Sequence, residues 1–110
     1  MKLTDLAGTF YRYAGERTFK PVAEMADADS VMFLCPACFE KNDGPKGTHR
    51  IRIDFVGRGT PDEHCIHGSD DQPVRWNAAG SNLEDLSLTP SIQIIGGCEW
   101  HGFVTNGDAR

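Results

Sequence analysis

Two pairs of potential metal ligands, each with a two-residue gap, most constrain how this sequence can fold. The first pair is Cys35 and Cys38 in CPAC, and the second is Cys98 and His101 in CEWH. A two-residue gap lets a tight turn direct two ligand atoms at one point, and two such turns can complete a tetrahedral zinc site. The spacing therefore predicts one structural Zn²⁺ bound by Cys35, Cys38, Cys98 and His101.

Two other interpretations of the cysteines remain open. Free cysteine also packs as a small apolar core residue. A Cys-x-x-Cys pair can instead carry redox chemistry when it opens a helix within a βαβ unit. The redox interpretation is disfavoured because FEKNDGPKGT, the stretch that starts just after CPAC, contains several helix breakers and is predicted to be a polar loop.

The strand patterns predict a mainly β fold, with a small α+β fold as the alternative. Residues 31–34 form a short apolar run that ends at Cys35, and HRIRIDFV alternates apolar and polar side chains as a half-buried strand does. SIQIIGGC is predicted to be a strand that ends near Cys98. The expected architecture is a zinc-ribbon-like core of two cysteine-containing turns, with an inserted strand and a long loop.

The length of 110 residues and the apolar content of 39% predict a single zinc-binding domain over residues 1–110. Residues 1–30 are expected to form an N-terminal hairpin and a short helix, and residues 31–110 the β core with its zinc-binding turns. Residues 57–73 contain few side chains that could enter a core, so they are predicted to form a long surface loop.

The predicted loop contains three more potential ligands, His64, Cys65 and His67, in EHCIHG. We expect this stretch to be solvated. A second, weaker metal site is an alternative, as is a functional cysteine whose pKa is lowered by the neighbouring imidazoles. His49 stands at the start of a predicted strand and is expected to be an ordinary exposed histidine.

Charge and hydropathy exclude several classes of function. The chain has 11 basic and 16 acidic residues, a net charge of -5, and no basic run, which argues against binding to nucleic acid phosphates. No apolar stretch approaches the length of a membrane span, and the N-terminus lacks the apolar core of a secretory signal. We therefore expect a cytoplasmic location, where cysteines stay reduced.

Known catalytic motifs are not found in the sequence. A catalytic zinc keeps one position for water, whereas the four predicted ligands fill the coordination sphere and leave Glu99 no metal-bound water to activate. HExxH, GxSxG and Walker-type loops do not occur. The sequence thus predicts no catalytic residue and no cofactor other than zinc.

The motifs FLCPAC, LTPSIQI and CEWHGFVTNGD together resemble a family of small phage and prophage proteins of unknown function, often labelled ammonia monooxygenase. The chain is also similar to a wider bacterial family with a Cys-rich first motif and a later PSI … C-x-x-H … G motif. Some members of that wider family are encoded near ubiquitin-activating-like enzymes. The resemblance implies a zinc-binding, β-rich domain in a bacterial host cell, with the same four ligands. Ammonia oxidation itself is not expected, because that enzyme is a membrane-embedded copper protein of several subunits.

The favoured function is a protein-binding or adaptor module with a structural zinc, acting on an unidentified host or phage protein. Its binding surface would include the long loop and Trp100. One alternative is a small enzyme, either a hydrolase with an open zinc site or a protein that uses Cys65 as its nucleophile. Another is a nucleic-acid-binding zinc ribbon, which the negative net charge opposes.

Overall fold

A computed structural model describes all 110 residues and contains two four-stranded antiparallel sheets. The first has the strand order β2-β1-β3-β4 and the second the order β5-β6-β7-β8. The strands are β1 Thr9–Tyr13, β2 Phe19–Val22, β3 Ser30–Leu34, β4 Arg50–Asp54, β5 Asn77–Ala79, β6 Ser87–Gln93, β7 His101–Thr105 and β8 Asp108–Ala109. One helix, α1, spans Pro36–Asn42, and short 3₁₀ turns cover Leu3–Leu6, Met25–Asp27 and Asp62–His64. The predicted mainly β fold is confirmed.

The core lies where the two sheets meet and draws on both of them. Val31 and Phe33 of β3 are fully buried, and the alternation in β4 turns Ile51 and Ile53 inward. The second sheet contributes buried side chains from β6 and β7, among them Leu88, Ile92 and Val104. These residues belong to one cluster of 19 buried side chains, so burial of apolar surface holds the two sheets together.

Trp76 connects the two sheets through its backbone as well. Its N–H donates to the carbonyl of Asp54 at the end of β4, at 2.9 Å, and its own carbonyl accepts from Val56, also at 2.9 Å. Its indole ring is 8% exposed and belongs to the core. The segment that leads into β5 is thereby fixed against the edge of the first sheet.

The prediction of a polar loop for FEKNDGPKGT is wrong for its first four residues, because residues 36–42 form α1. Pro36 occupies the first turn of the helix, a position where its missing N–H is not needed. The breakers act only later: Asp43 adopts a left-handed conformation with φ of 53° and ends the helix. The cysteine pair therefore does open a helix, so a polar loop after CPAC no longer argues against a redox motif. The βαβ unit typical of such a motif is not present.

No helix in the structure combines the length and the apolar surface that crossing a membrane would require.

Candidate functional site

Three cysteines and one histidine form a cluster between the two sheets. The ligand atoms of Cys35, Cys38, His49 and Cys98 all lie within 4.8 Å of one another. Cys35 Sγ is 3.6 Å from Cys98 Sγ, and His49 Nε2 is 3.3 Å from the same sulfur. Two sulfurs on one tetrahedral zinc should lie about 3.8 Å apart, since each Zn–S bond is about 2.3 Å. The cluster thus has the donor set and the spacing of a metal site that could hold Zn²⁺.

His49, and not His101, stands beside the three cysteines. The antiparallel pairing of β3 with β4 determines this, because it continues past the strand ends and brings the Cys35 N–H to the His49 carbonyl at 2.9 Å. His101 begins β7, pairs with Gln93 of β6 and points to the exposed face of the second sheet. The structure thus places His49 beside the cysteines, where the spacing had predicted His101.

Different elements position the three thiols. Cys35 directly follows the buried strand β3 and is the N-cap residue of α1, whose first turn holds Cys38. Cys98 lies in the turn between β6 and β7, where Glu99 donates its N–H to the Gly96 carbonyl and adopts a φ of 53°. A metal ion bound here would link the first sheet and α1 to this turn of the second sheet.

The thiols differ in their acidity because they differ in burial and in hydrogen bonding. Burial raises the pKa of Cys35 to about 11. Cys98 is exposed, and hydrogen bonds from the backbone N–H of Trp100 and from His49 lower its pKa to about 7. Metal ligation requires thiolates, and Cys98 loses its proton more readily than Cys35.

A serine and a histidine lie at hydrogen-bond distance on the exposed face of the second sheet. His101 Nε2 is 3.0 Å from Ser91 Oγ. Ser91 lies on β6 and His101 on β7, and the register that pairs Gln93 with His101 makes Ser91 a diagonal neighbour of His101 on the same face. A serine hydroxyl within reach of an imidazole has the geometry of a nucleophile next to its general base.

Two neighbouring features fix this pair. The register of β6 against β7 shifts between Leu88 and Ile92, an irregularity of the kind that redirects side chains near active sites. The indole Nε1 of Trp76 donates a hydrogen bond of 3.2 Å to the carbonyl of Ser91. The backbone of Ser91 is therefore held by a buried core residue.

The residues of EHCIHG join neither group. Cys65 is buried, its Sγ lies 3.2 Å from the Val74 carbonyl, and burial, followed by the charge of Asp54, raises its pKa. His64 contacts the Tyr13 hydroxyl through Nδ1. The expectation of a fully solvated stretch is wrong at Cys65, and the raised pKa argues against its use as a nucleophile.

Sequence reasoning missed Ser91 and His49 as functional residues. The motif LTPSIQI, which contains Ser91, was used only as part of a family resemblance, and His101 was assigned to the metal because it stands three positions after Cys98. The signal that could have found the pair is the alternation of LTPSIQI and HGFVT as two strands of one hairpin, which places Ser91 and His101 on a common face.

Residues 8–110 match the family model of BubE, described as a bacterial ubiquitination-like system serine protease. No curated protein and no solved structure matches the chain at a significant level. The family match overturns the resemblance to phage proteins of unknown function. It also contradicts the predicted adaptor role, which had been favoured over the enzymatic alternatives. The alternative of a small hydrolase agrees better with this family, although the family is described as using serine, not a metal or a cysteine.

Proposed function

We propose, because the chain belongs to the BubE family of bacterial ubiquitination-like system serine proteases, that Ser91 is its nucleophile and His101 its general base. The observation that carries this assignment is the distance of 3.0 Å between Ser91 Oγ and His101 Nε2. His49 contacts Cys98 and His64 contacts Tyr13. Of the four histidines, His101 is the one whose ring lies at hydrogen-bond distance from a serine hydroxyl.

The geometry supports acyl transfer in two steps. Ser91 Oγ attacks the carbonyl carbon of the substrate while His101 Nε2 takes the hydroxyl proton. The imidazolium then gives that proton to the leaving amine as the C–N bond breaks, which leaves an acyl group on Ser91. Water attacks this ester with His101 again as base, and the proton returns to Ser91 as the acid product leaves.

The family description also suggests where the substrate belongs. BubE is named for a bacterial ubiquitination-like system. We place the substrate of this chain among the proteins of such a system, with a peptide bond as the bond that is cleaved.

The cysteine cluster would hold a structural Zn²⁺. Four protein ligands leave no position for a reactive water, so a bound zinc would stabilise the fold and take no part in proton transfer. Cys98 precedes the proposed base His101 by three residues. Cysteine-containing turns at strand ends give this part of the molecule a zinc-ribbon-like character, and the bound ion would fix the turn that leads into β7.

Covalent labelling with a fluorophosphonate tests the proposed nucleophile. We expect intact-protein mass spectrometry to show one added phosphonyl group, which peptide mapping assigns to Ser91. Ser91→Ala should remove the label entirely. His101→Gln should slow labelling by about 10²–10⁴-fold, because the hydroxyl loses its base.

Ser69→Ala is the matched control, because Ser69 is an exposed serine in the segment between β4 and β5. It should label at the wild-type rate. A label found on another serine, or wild-type labelling of Ser91→Ala, would contradict the assignment.

A further inference from the structure

A cleft of about 400 Å³ opens beside Ser91, between β6 and the segment of residues 66–74. Aliphatic and aromatic side chains make up much of its wall, namely Ile66, Val74, Trp76, Ile94 and Ile95. No Asp, Glu, Lys or Arg lines it. The polar side chains of the wall are those of His67, Ser91 and Gln93, and none of them is a carboxylate. A cationic group such as a lysine ammonium would therefore lose water in the cleft without gaining an ion pair, whereas an apolar group would gain from burial.

The rim of the cleft leaves a large apolar side chain in water. Ile95 is 72% exposed, although isoleucine is usually buried. Only four large apolar side chains of the chain are exposed, and two of them, Ile95 and Phe103, lie on the β6–β7 hairpin that contains the serine–histidine pair. Exposed apolar surface concentrated beside a reactive pair is typical of a substrate-binding surface.

Trp76 joins the cleft to the reacting serine. Its ring forms part of the wall, and its Nε1 donates the hydrogen bond to the Ser91 carbonyl. A group bound in the cleft would therefore contact the residue that positions Ser91, next to the bond under attack.

The position of the cleft relative to Ser91 and His101 indicates which side of the cleaved bond it contacts. In the proposed reaction His101 protonates the leaving amine, so the leaving group must lie on the side of His101. Ser91 lines the cleft and His101 does not. The acyl part of the substrate is thus the part that faces the cleft.

We propose that this cleft binds a large aliphatic side chain, that of the substrate residue whose carbonyl carbon Ser91 attacks. This inference rests on the serine protease function proposed above. It adds a preference at one substrate position, for a side chain such as that of leucine, over glycine and over lysine.

Hydrolysis of N-acetyl amino acid 4-nitrophenyl esters tests the preference directly, because these probes differ only in the side chain next to the attacked carbonyl. We expect kcat/KM for the leucine ester to exceed that for the glycine and lysine esters by at least about tenfold. Val74→Phe should fill part of the cleft and reduce the leucine-to-glycine ratio of kcat/KM by about tenfold.

Val56→Phe is the matched control, because Val56 is 50% exposed and does not line the cleft. Its leucine-to-glycine ratio should equal that of the wild type. Equal kcat/KM for the three esters, or a ratio that Val74→Phe leaves unchanged, overturns the cleft proposal. The proposed function stands in either case if Ser91→Ala is inactive.

If no ester is hydrolysed, the result contradicts the proposed function, and a binding measurement then tests the cleft by itself. The indole N–H resonance of Trp76 is followed in ¹⁵N-labelled Ser91→Ala protein during titration with N-acetyl-leucine methylamide. The resonance should shift, and N-acetyl-lysine methylamide should leave it unmoved. Trp100, the other of the two tryptophans, is the internal reference, since it packs against Phe33 outside the cleft. An unmoved Trp76 resonance overturns the proposed subsite.

Discussion

Gly102 follows the proposed base His101, and its neighbours leave no room for a side chain. A Cβ at this position would collide with the carbonyl oxygen of Arg110 and would lie 2.6 Å from Cζ2 of Trp100. The backbone can therefore approach the C-terminal residue closely, with Phe103 and Arg110 exchanging two hydrogen bonds of 2.9 Å. The requirement for glycine beside His101 is thus a matter of packing and not of backbone conformation.

Gly102→Ala should lower the free energy of unfolding by about 1–3 kcal/mol, because the added methyl group forces the backbone of β7 away from Arg110. Urea unfolding followed by tryptophan fluorescence measures the change. Gly59→Ala is the control, since the atoms nearest to its Cβ would belong to the Asp29 side chain, at 3.3 Å and beyond. Equal free energies of unfolding for the two variants would contradict the close packing at Gly102.

The elements around the cysteine cluster show how far local patterns determine a site. The apolar run of β3 correctly predicts a buried strand, which ends at Leu34 directly before Cys35, because burial of a short strand depends on its own residues. The choice between His49 and His101 depends on which strands pair and in which register. His49 directly precedes β4 and His101 begins β7, and only the pairing of β4 with β3 brings one of them to the thiols.

His49→Ala and His101→Ala should therefore have opposite effects. The first should reduce the zinc bound per chain, measured by mass spectrometry of the metal after dialysis, because it removes one of four ligands. The second should leave the zinc content unchanged and slow the reaction with the fluorophosphonate by about 10²–10⁴-fold. Loss of zinc from His101→Ala with full retention in His49→Ala would restore the ligand set expected from spacing alone.

Over the whole molecule, the cluster and the core both link the two sheets. The shared core of 19 residues holds them by apolar burial, while a metal ion would link α1 and the start of β4 to the β6–β7 turn. Structural zinc sites contribute free energy comparable with the stability of a small domain, about 10–16 against about 5–15 kcal/mol.

Three expectations about the whole molecule stay predictions. They are the absence of nucleic-acid binding, the cytoplasmic location and a host or phage protein as partner.

Removal of the metal should consequently weaken the whole fold. We expect EDTA to lower the thermal unfolding midpoint by at least about 10 °C, which corresponds to a loss of a few kcal/mol in a domain of this size. EDTA already saturated with Zn²⁺ is the control and should have no effect. An unchanged midpoint after verified metal removal would contradict a structural role for zinc.

The sequence by itself determined the mainly β character, the burial of β3 and β4, and the presence of metal-ligand residues at strand ends. These properties follow from the alternation and spacing of neighbouring residues, which act over a few positions. Only the tertiary structure decided that His49 joins the cysteines and that His101 meets Ser91. The register between strands depends on contacts between residues distant in sequence, and a period of two assigns each side chain a face of the sheet but not a partner across it.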